Sequence, residues 1–183
     1  MMFDRRRFGT GVSTPADVAR AQAVLRLLLA QGGSTTRLCE TIAGGPVQLH
    51  VLRQRACSDL PEAVRSALPG AAVVERFSCL TARGAALLDS LVYIAVHSLP
   101  RDIAQQMDAG ETPIGHLLER LWVRRTPWMH LDDALCKRLW AEVGRPDAAA
   151  TRTYTVETPD GPLMVVTETF RDGMLMPRPG ESD

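Results

Sequence analysis

The stretch from Arg152 to Phe170 reads RTYTVETPDGPLMVVTETF, two strand-like arms around Thr158-Pro159-Asp160-Gly161. Proline presets one turn dihedral, aspartate bonds back to its own chain, and glycine accepts a positive φ, so the tetrapeptide reverses the chain. Arg152 to Glu157 and Pro162 to Phe170 therefore read as a hairpin. Alternation in the second arm puts Met164, Val166, Glu168 and Phe170 on one face. Leu163, Val165, Thr167 and Thr169 take the other.

The same period of two recurs upstream. In Val47 to Arg53 the apolar residues are Val47, Leu49 and Val51, which predicts a half-buried strand. Ala72 to Leu80 and Leu87 to Val96 are further strands, joined around Arg83-Gly84. Helical spacing takes over elsewhere. Ser13-Thr14-Pro15-Ala16-Asp17 is a helix start, followed by Val18, Ala21, Val24, Leu25, Leu28 and Leu29 and stopped at Gly32-Gly33. Ser34-Thr35-Thr36 opens a shorter helix that ends at Gly44-Gly45. Leu99 to Met107, Thr112 to Leu121 and Leu131 to Val143 read as three more. Hairpins with helices before and between them predict an α+β fold: an antiparallel sheet of about six strands with helices packed over it. One domain is expected over 13–173, with flexible tails at 1–12 and 174–183.

With 183 residues, 45% of them hydrophobic, the chain can bury a core without disulfides or a structural metal. Lys plus Arg and Asp plus Glu both total 21. That balance argues against a dedicated nucleic-acid binder, which needs an excess of cations. Arg5-Arg6-Arg7 is too short to change this; it reads as a solvated start or as an anion or partner contact. No apolar run reaches the ~20 residues that span a bilayer, and no signal-peptide layout is present, so a cytoplasmic protein without a membrane partner is expected. Cys39, Cys57, Cys79 and Cys136 are widely spaced and read as free thiols. The four histidines lack ligand spacing, so no metal is expected.

The familiar chemical signatures are missing: no phosphate loop, nucleophile elbow or zinc helix occurs. What stands out is charge inside apolar strands. Glu168 shares a face with Met164 and Val166, where an unpartnered carboxylate is costly. It reads as a pocket carboxylate able to hydrogen-bond or protonate a ligand, or as a sheet-end glutamate reaching water. Arg76 interrupts Ala71 to Leu80; it reads as a clamp for a carboxylate or as a surface cross-strand ion pair. Thr35-Thr36-Arg37 sits at a helix start, where free N–H groups cap the helix or attract anions. Trp122, Trp128 and Trp140 read as packing residues, with their segment a candidate lid over the pocket.

Taken in order, Ser34-Thr35-Thr36-Arg37, the strand ending near Arg53, Glu75-Arg76, Leu99-Pro100, Thr112-Pro113-Ile114-Gly115 and Leu163 to Phe170 resemble the chorismate pyruvate-lyase family (the chorismate lyase/UTRA-like fold). The resemblance spans roughly 20–171 and leans toward the actinobacterial-type branch. It implies helices enclosing a ligand pocket on the sheet, and a cofactor-independent lyase that converts chorismate to 4-hydroxybenzoate and pyruvate. It implies catalytic roles for Arg76, which holds the ring carboxylate, and Glu168, which faces the ring hydroxyl. Thr35, Thr36, Ile114 and Gly115 would border the substrate. Leu91 stands where a polar pocket residue is expected, and 119–150 matches poorly. The alternatives that follow are the same fold acting as a lyase, dehydratase or cyclase on another substrate, or a non-catalytic small-acid-binding module. The expected partner is a small-molecule carboxylate, bound by a monomer or small homo-oligomer.

Overall fold

The computed structural model describes residues 4–12, 14–70 and 72–175. Ser13 of the expected helix start, Met1 to Phe3 of the first tail and 176–183 of the second lie outside the described residues. Six strands form one antiparallel sheet: β1 (Gln48–Cys57), β2 (Val73–Ala82), β3 (Ala85–Ala95), β4 (Arg124–Pro127), β5 (Thr151–Thr158) and β6 (Gly161–Phe170). Their order across the sheet is β1-β2-β3-β6-β5-β4. The helices are α1 (Pro15–Ala30), α2 (Thr35–Ala43), α3 (Glu62–Ala67), α4 (Arg101–Ala109), α5 (Ile114–Leu118) and α6 (Asp133–Val143). The α+β expectation holds. The strand β4 and the short helix α3 are additions, both too brief to carry a period.

Helix ends follow the local chemistry. Thr14 Oγ1 accepts from the Asp17 N–H while the Asp17 carboxylate accepts from the Thr14 N–H, a reciprocal cap that starts α1. Ser34 Oγ caps α2, and Gly44 closes it in the left-handed region at φ 70°, where glycine carries no Cβ penalty.

Pairing register decides which side chains meet. On the front face Val92, Ile94, Met164, Val166, Tyr154 and Val156 pack against Ile103 and Met107 of α4 and Leu117 and Leu118 of α5. On the back face Phe77, Leu91, Tyr93 and Val165 pack against Leu135 and Leu139 of α6 and Val64 of α3. Burying such side chains stabilises the fold by roughly 1.5–3 kcal/mol each.

Two expectations are corrected here. Leu91 does not face the pocket: it is opposite Phe77 and Thr167 on the back face, while its neighbours Ser90 and Val92 face the front. Of the segment 119–150, Leu121 and Val123 pack against the front core and Arg125 borders the pocket, whereas α6 packs behind the sheet and is no lid. There Trp128 Nε1 donates to Thr155 Oγ1 at 2.9 Å and Trp140 Nε1 to Thr169 Oγ1 at 3.2 Å, whereas Trp122 is largely exposed.

Residues 4–12, read from composition as a tail, run along the end of the sheet. Asp4 bridges to Ala85 and Arg7 to Arg171. Arg5 Nε donates to Asp89 Oδ1 at 3.1 Å, and Arg171 Nε to Asp89 Oδ2 at 2.7 Å. Asp89 and Arg171 are fully buried, so Arg5 completes the pairing of an internal carboxylate. Met174, at the start of the second expected tail, is buried in the core beside Cys39. Among the described residues no helix is long and apolar enough to cross a membrane.

Candidate functional site

A polar row crosses the middle of the front face. Ser78 on β2 stands opposite Ser90 on β3, Ser90 opposite Glu168 on β6, and Glu168 opposite Arg152 on β5. The rows on either side are mostly apolar: Leu80, Leu88 and Phe170 above, Val92, Val166 and Tyr154 below. Over this row lies a cavity with about 530 Å³ of free space, part of it open solvent. Ser78, Ser90 and Glu168 line its floor, Thr35 and Thr36 one wall, and Ile114 and Gly115 its cover.

The cover depends on one glycine. A Cβ at Gly115 would overlap Thr36 Oγ1 and come within 2.7 Å of Thr36 Cβ and 3.0 Å of Ser34 Oγ. Only glycine lets the start of α5 settle on the start of α2 this closely. Arg37 contributes from outside: its guanidinium bonds both oxygens of Glu119 at 2.7 Å and is largely exposed. It pins α2 to the chain just after α5, and is not a pocket group.

Glu168 is almost fully buried, and both of its oxygens accept hydrogen bonds. Its Oε1 accepts from Arg152 Nε at 2.7 Å, from Arg152 Nη2 at 2.5 Å and from Thr35 Oγ1 at 3.0 Å; Oε2 accepts from the Tyr154 hydroxyl at 3.3 Å. Burial, and then the Glu168 carboxylate, push the Tyr154 phenol well above its ordinary range, so this hydroxyl keeps its proton. Arg152 is the hub. Its Nη1 donates to the carbonyls of Leu28, Leu29 and Gln31 at 2.8, 3.3 and 2.7 Å. These belong to the end of α1, whose last carbonyls have no partner within the helix. One guanidinium thus ties α1, α2, β5 and β6 together.

Arg76 sits differently. It occupies the front face beside Val92, one row below Ser78 and Glu168, but it does not line the cavity, because α4 closes over it. The side chain is fully buried. Nη1 donates to Met107 O at 3.4 Å, whereas Nε and Nη2 have no hydrogen-bond partner among the described residues. Burial draws its pKa down, yet a guanidinium stays protonated. Arg76 is therefore no cross-strand ion pair.

Of the six residues singled out in the sequence, the fold brings Thr35, Thr36, Ile114, Gly115 and Glu168 to one cavity and sets Arg76 beneath its edge. Sequence reasoning missed Arg152, Tyr154, the two serines and Arg125, which reaches the cavity from β4. Among the described residues no group of His, Cys, Asp and Glu is placed to hold a metal ion.

No family model and no curated protein matches this sequence. Solved structures do. The effector domain of PhnF from Mycobacterium smegmatis aligns with a TM-score of 0.53 at 17% identity, over 80% of this chain and 92% of that one. A structure of PhnF itself gives 0.50 at 15% identity, over 97% and 92%. The C-terminal domain of the histidine utilization repressor from Pseudomonas syringae gives 0.44 at 11% identity, over 68% and 91%. The fold is that of the UTRA effector domains of transcription regulators, which is related to the chorismate lyase fold. The expected lyase activity, with its substrate and products, is corrected by these neighbours: the two aligned at a TM-score of 0.50 or more are PhnF and its effector domain, not lyases. Both oxygens of Glu168 accept hydrogen bonds from protein donors, and the carboxylate also lines the cavity floor.

Proposed function

We propose that this chain is a non-catalytic binding module for a small carboxylate, with Arg76 as the cation that receives the ligand's anionic end. The observation that carries this reading is the guanidinium with two unpaired N–H donors, fully buried on the pocket face of the sheet. Leaving a buried charge without a partner costs several kcal/mol, and a planar carboxylate supplies two parallel acceptors that suit the guanidinium fork. Ser78 and Ser90, whose hydroxyls lie 2.8 Å apart, offer further hydrogen bonds to the ligand body. Admitting a carboxylate to Arg76 moves the Met107 end of α4 outward. The likeness to a regulator's effector domain supports a ligand-binding role.

Isothermal titration with 4-hydroxybenzoate and with its neutral amide tests this. The acid binds the wild-type chain and is recovered unchanged, and Arg76→Met weakens it more than tenfold, since a charge-assisted pair contributes about 1.5–3 kcal/mol. Equal binding of acid and amide, or no effect of Arg76→Met, overturns the reading.

A further inference from the structure

Arg125 is the residue of the site that the pocket described above does not explain. On β4 it stands opposite Val156, on the face that also carries Tyr154. Its neighbour Arg124 is bonded to Glu157 at 2.7 and 2.9 Å. The Arg125 side chain has no hydrogen bond or ion pair among the described residues, and the residue is half-buried. Together with Tyr154 it forms a wall shared by two cavities.

The second cavity has about 420 Å³ of free space, part of it open solvent, and lies where β4 ends at the pair Pro127 and Tyr154, against the end of α1. Its lining joins apolar Leu29, Pro127 and Trp128 to polar Gln31 and Thr153, with Gly32 at the rim. A Cβ at Gly32 would meet nothing within 4 Å, so the rim is open. The indole of Trp128 is fixed by its bond to Thr155 Oγ1. Arg152 also borders the cavity, but its donors are taken by Glu168, Thr35 and the α1 carbonyls. Arg125 is thus the cation with donors to spare in a cavity at the sheet edge that Trp128, Leu29 and Pro127 also border.

We propose that this second cavity is a separate binding site for an amphipathic anion, a carboxylate on a flat apolar body. The carboxylate pairs with Arg125 and the body lies along Trp128, Pro127 and Leu29. The site is distinct from the one beneath α4 and does not use Arg76. Because Arg125 and Tyr154 face both cavities, a ligand in the second restricts Arg125 and narrows the mouth of the first.

The three tryptophan indole N–H signals, read by nitrogen–proton correlation NMR, test this, with Trp128 assigned from a Trp128→Phe variant. The probe is 3-phenylpropionate, with its neutral amide as control. The Trp128 signal shifts saturably with the acid in the wild-type chain and in Arg76→Met. It responds at least tenfold more weakly in Arg125→Met, and the amide is at least tenfold weaker than the acid. Arg125 carries no ion pair, so this variant keeps the wild-type melting temperature. A Trp128 signal that ignores the acid, follows the same curve in Arg125→Met, or responds equally to the amide overturns the proposal. A response lost in Arg76→Met also overturns it, since one site would then account for both cavities; a response kept there stands even if Arg76 binds nothing.

Discussion

Arg152 and Glu168 face each other across the β5–β6 pair, Nε to Oε1 at 2.7 Å, with the glutamate almost wholly removed from water. The pair anchors the ends of two helices as well as two strands. It makes the carboxylate that lines the cavity floor also a joint on which the pocket wall rests.

That joint predicts a non-additive pair of substitutions. Arg152→Met leaves the buried carboxylate without its main partner and lowers unfolding stability by about 3–5 kcal/mol. Adding Glu168→Met removes the stranded charge and recovers most of the loss. Urea denaturation of the two single variants and the double variant checks this; additive losses mean the residues act independently.

Gly115 predicts a steric effect. In Gly115→Ala the new methyl group meets Thr36 and Ser34, so α5 must lift off α2. Overpacking of this kind costs about 1–3 kcal/mol. Thermal melting should show the loss, and titration with 4-hydroxybenzoate should show weaker binding through the displaced cover. A variant that melts and binds like wild type means the two helix starts are not in close contact.

Acid sensitivity should come from the back face. Glu75 is buried there, accepting from Arg138 Nε at 2.5 Å, Tyr93 hydroxyl at 3.0 Å and Arg55 Nε at 3.2 Å. Burial alone would raise its pKa, but the bonds from Arg138 and Tyr93 outweigh burial and hold the carboxyl below its ordinary value. A depressed folded value means the unfolded chain binds the proton more readily. The stabilisation is complete above the unfolded carboxylate value of about 4.3 and is lost as pH falls through the folded value. Stability measured from about pH 6 downward should decline below about pH 4, and Glu75→Gln should flatten that decline.

The hairpin of β5 and β6 was legible because its turn chemistry and alternation agree, and the polar faces of β6 followed from them. Arg152 was not, for a geometric reason. The turn pairs Thr158 with Gly161, and an unbroken ladder from there sets Arg152 against Thr167. The register shifts between Val156 and Glu157, which brings Arg152 opposite Glu168 instead. A one-residue slip moves a side chain's partner to the other face, and nothing in the local composition announces it. Leu91 was misplaced by the same kind of uncertainty, since an apolar run such as Leu91 to Val96 does not state which face each residue takes. The strand β4, four residues long with two arginines and a proline, carries no period, so Arg125 stayed hidden. Thr35, Thr36, Ile114 and Gly115 were legible through the family resemblance, whereas the lyase activity it implied was not a property of the fold.

In the proposed function, Arg76 is kept for a ligand at a cost to the fold. The most direct test compares urea unfolding of wild type and Arg76→Met with and without 4-hydroxybenzoate. Without the acid, Arg76→Met should be more stable than wild type by about 1–3 kcal/mol, because a buried polar group with unpaired donors has been replaced by an apolar one. With the acid, wild type should gain stability as the ligand binds the folded state, and Arg76→Met should not. An Arg76→Met chain that is less stable than wild type and gains as much from the acid would contradict the claim.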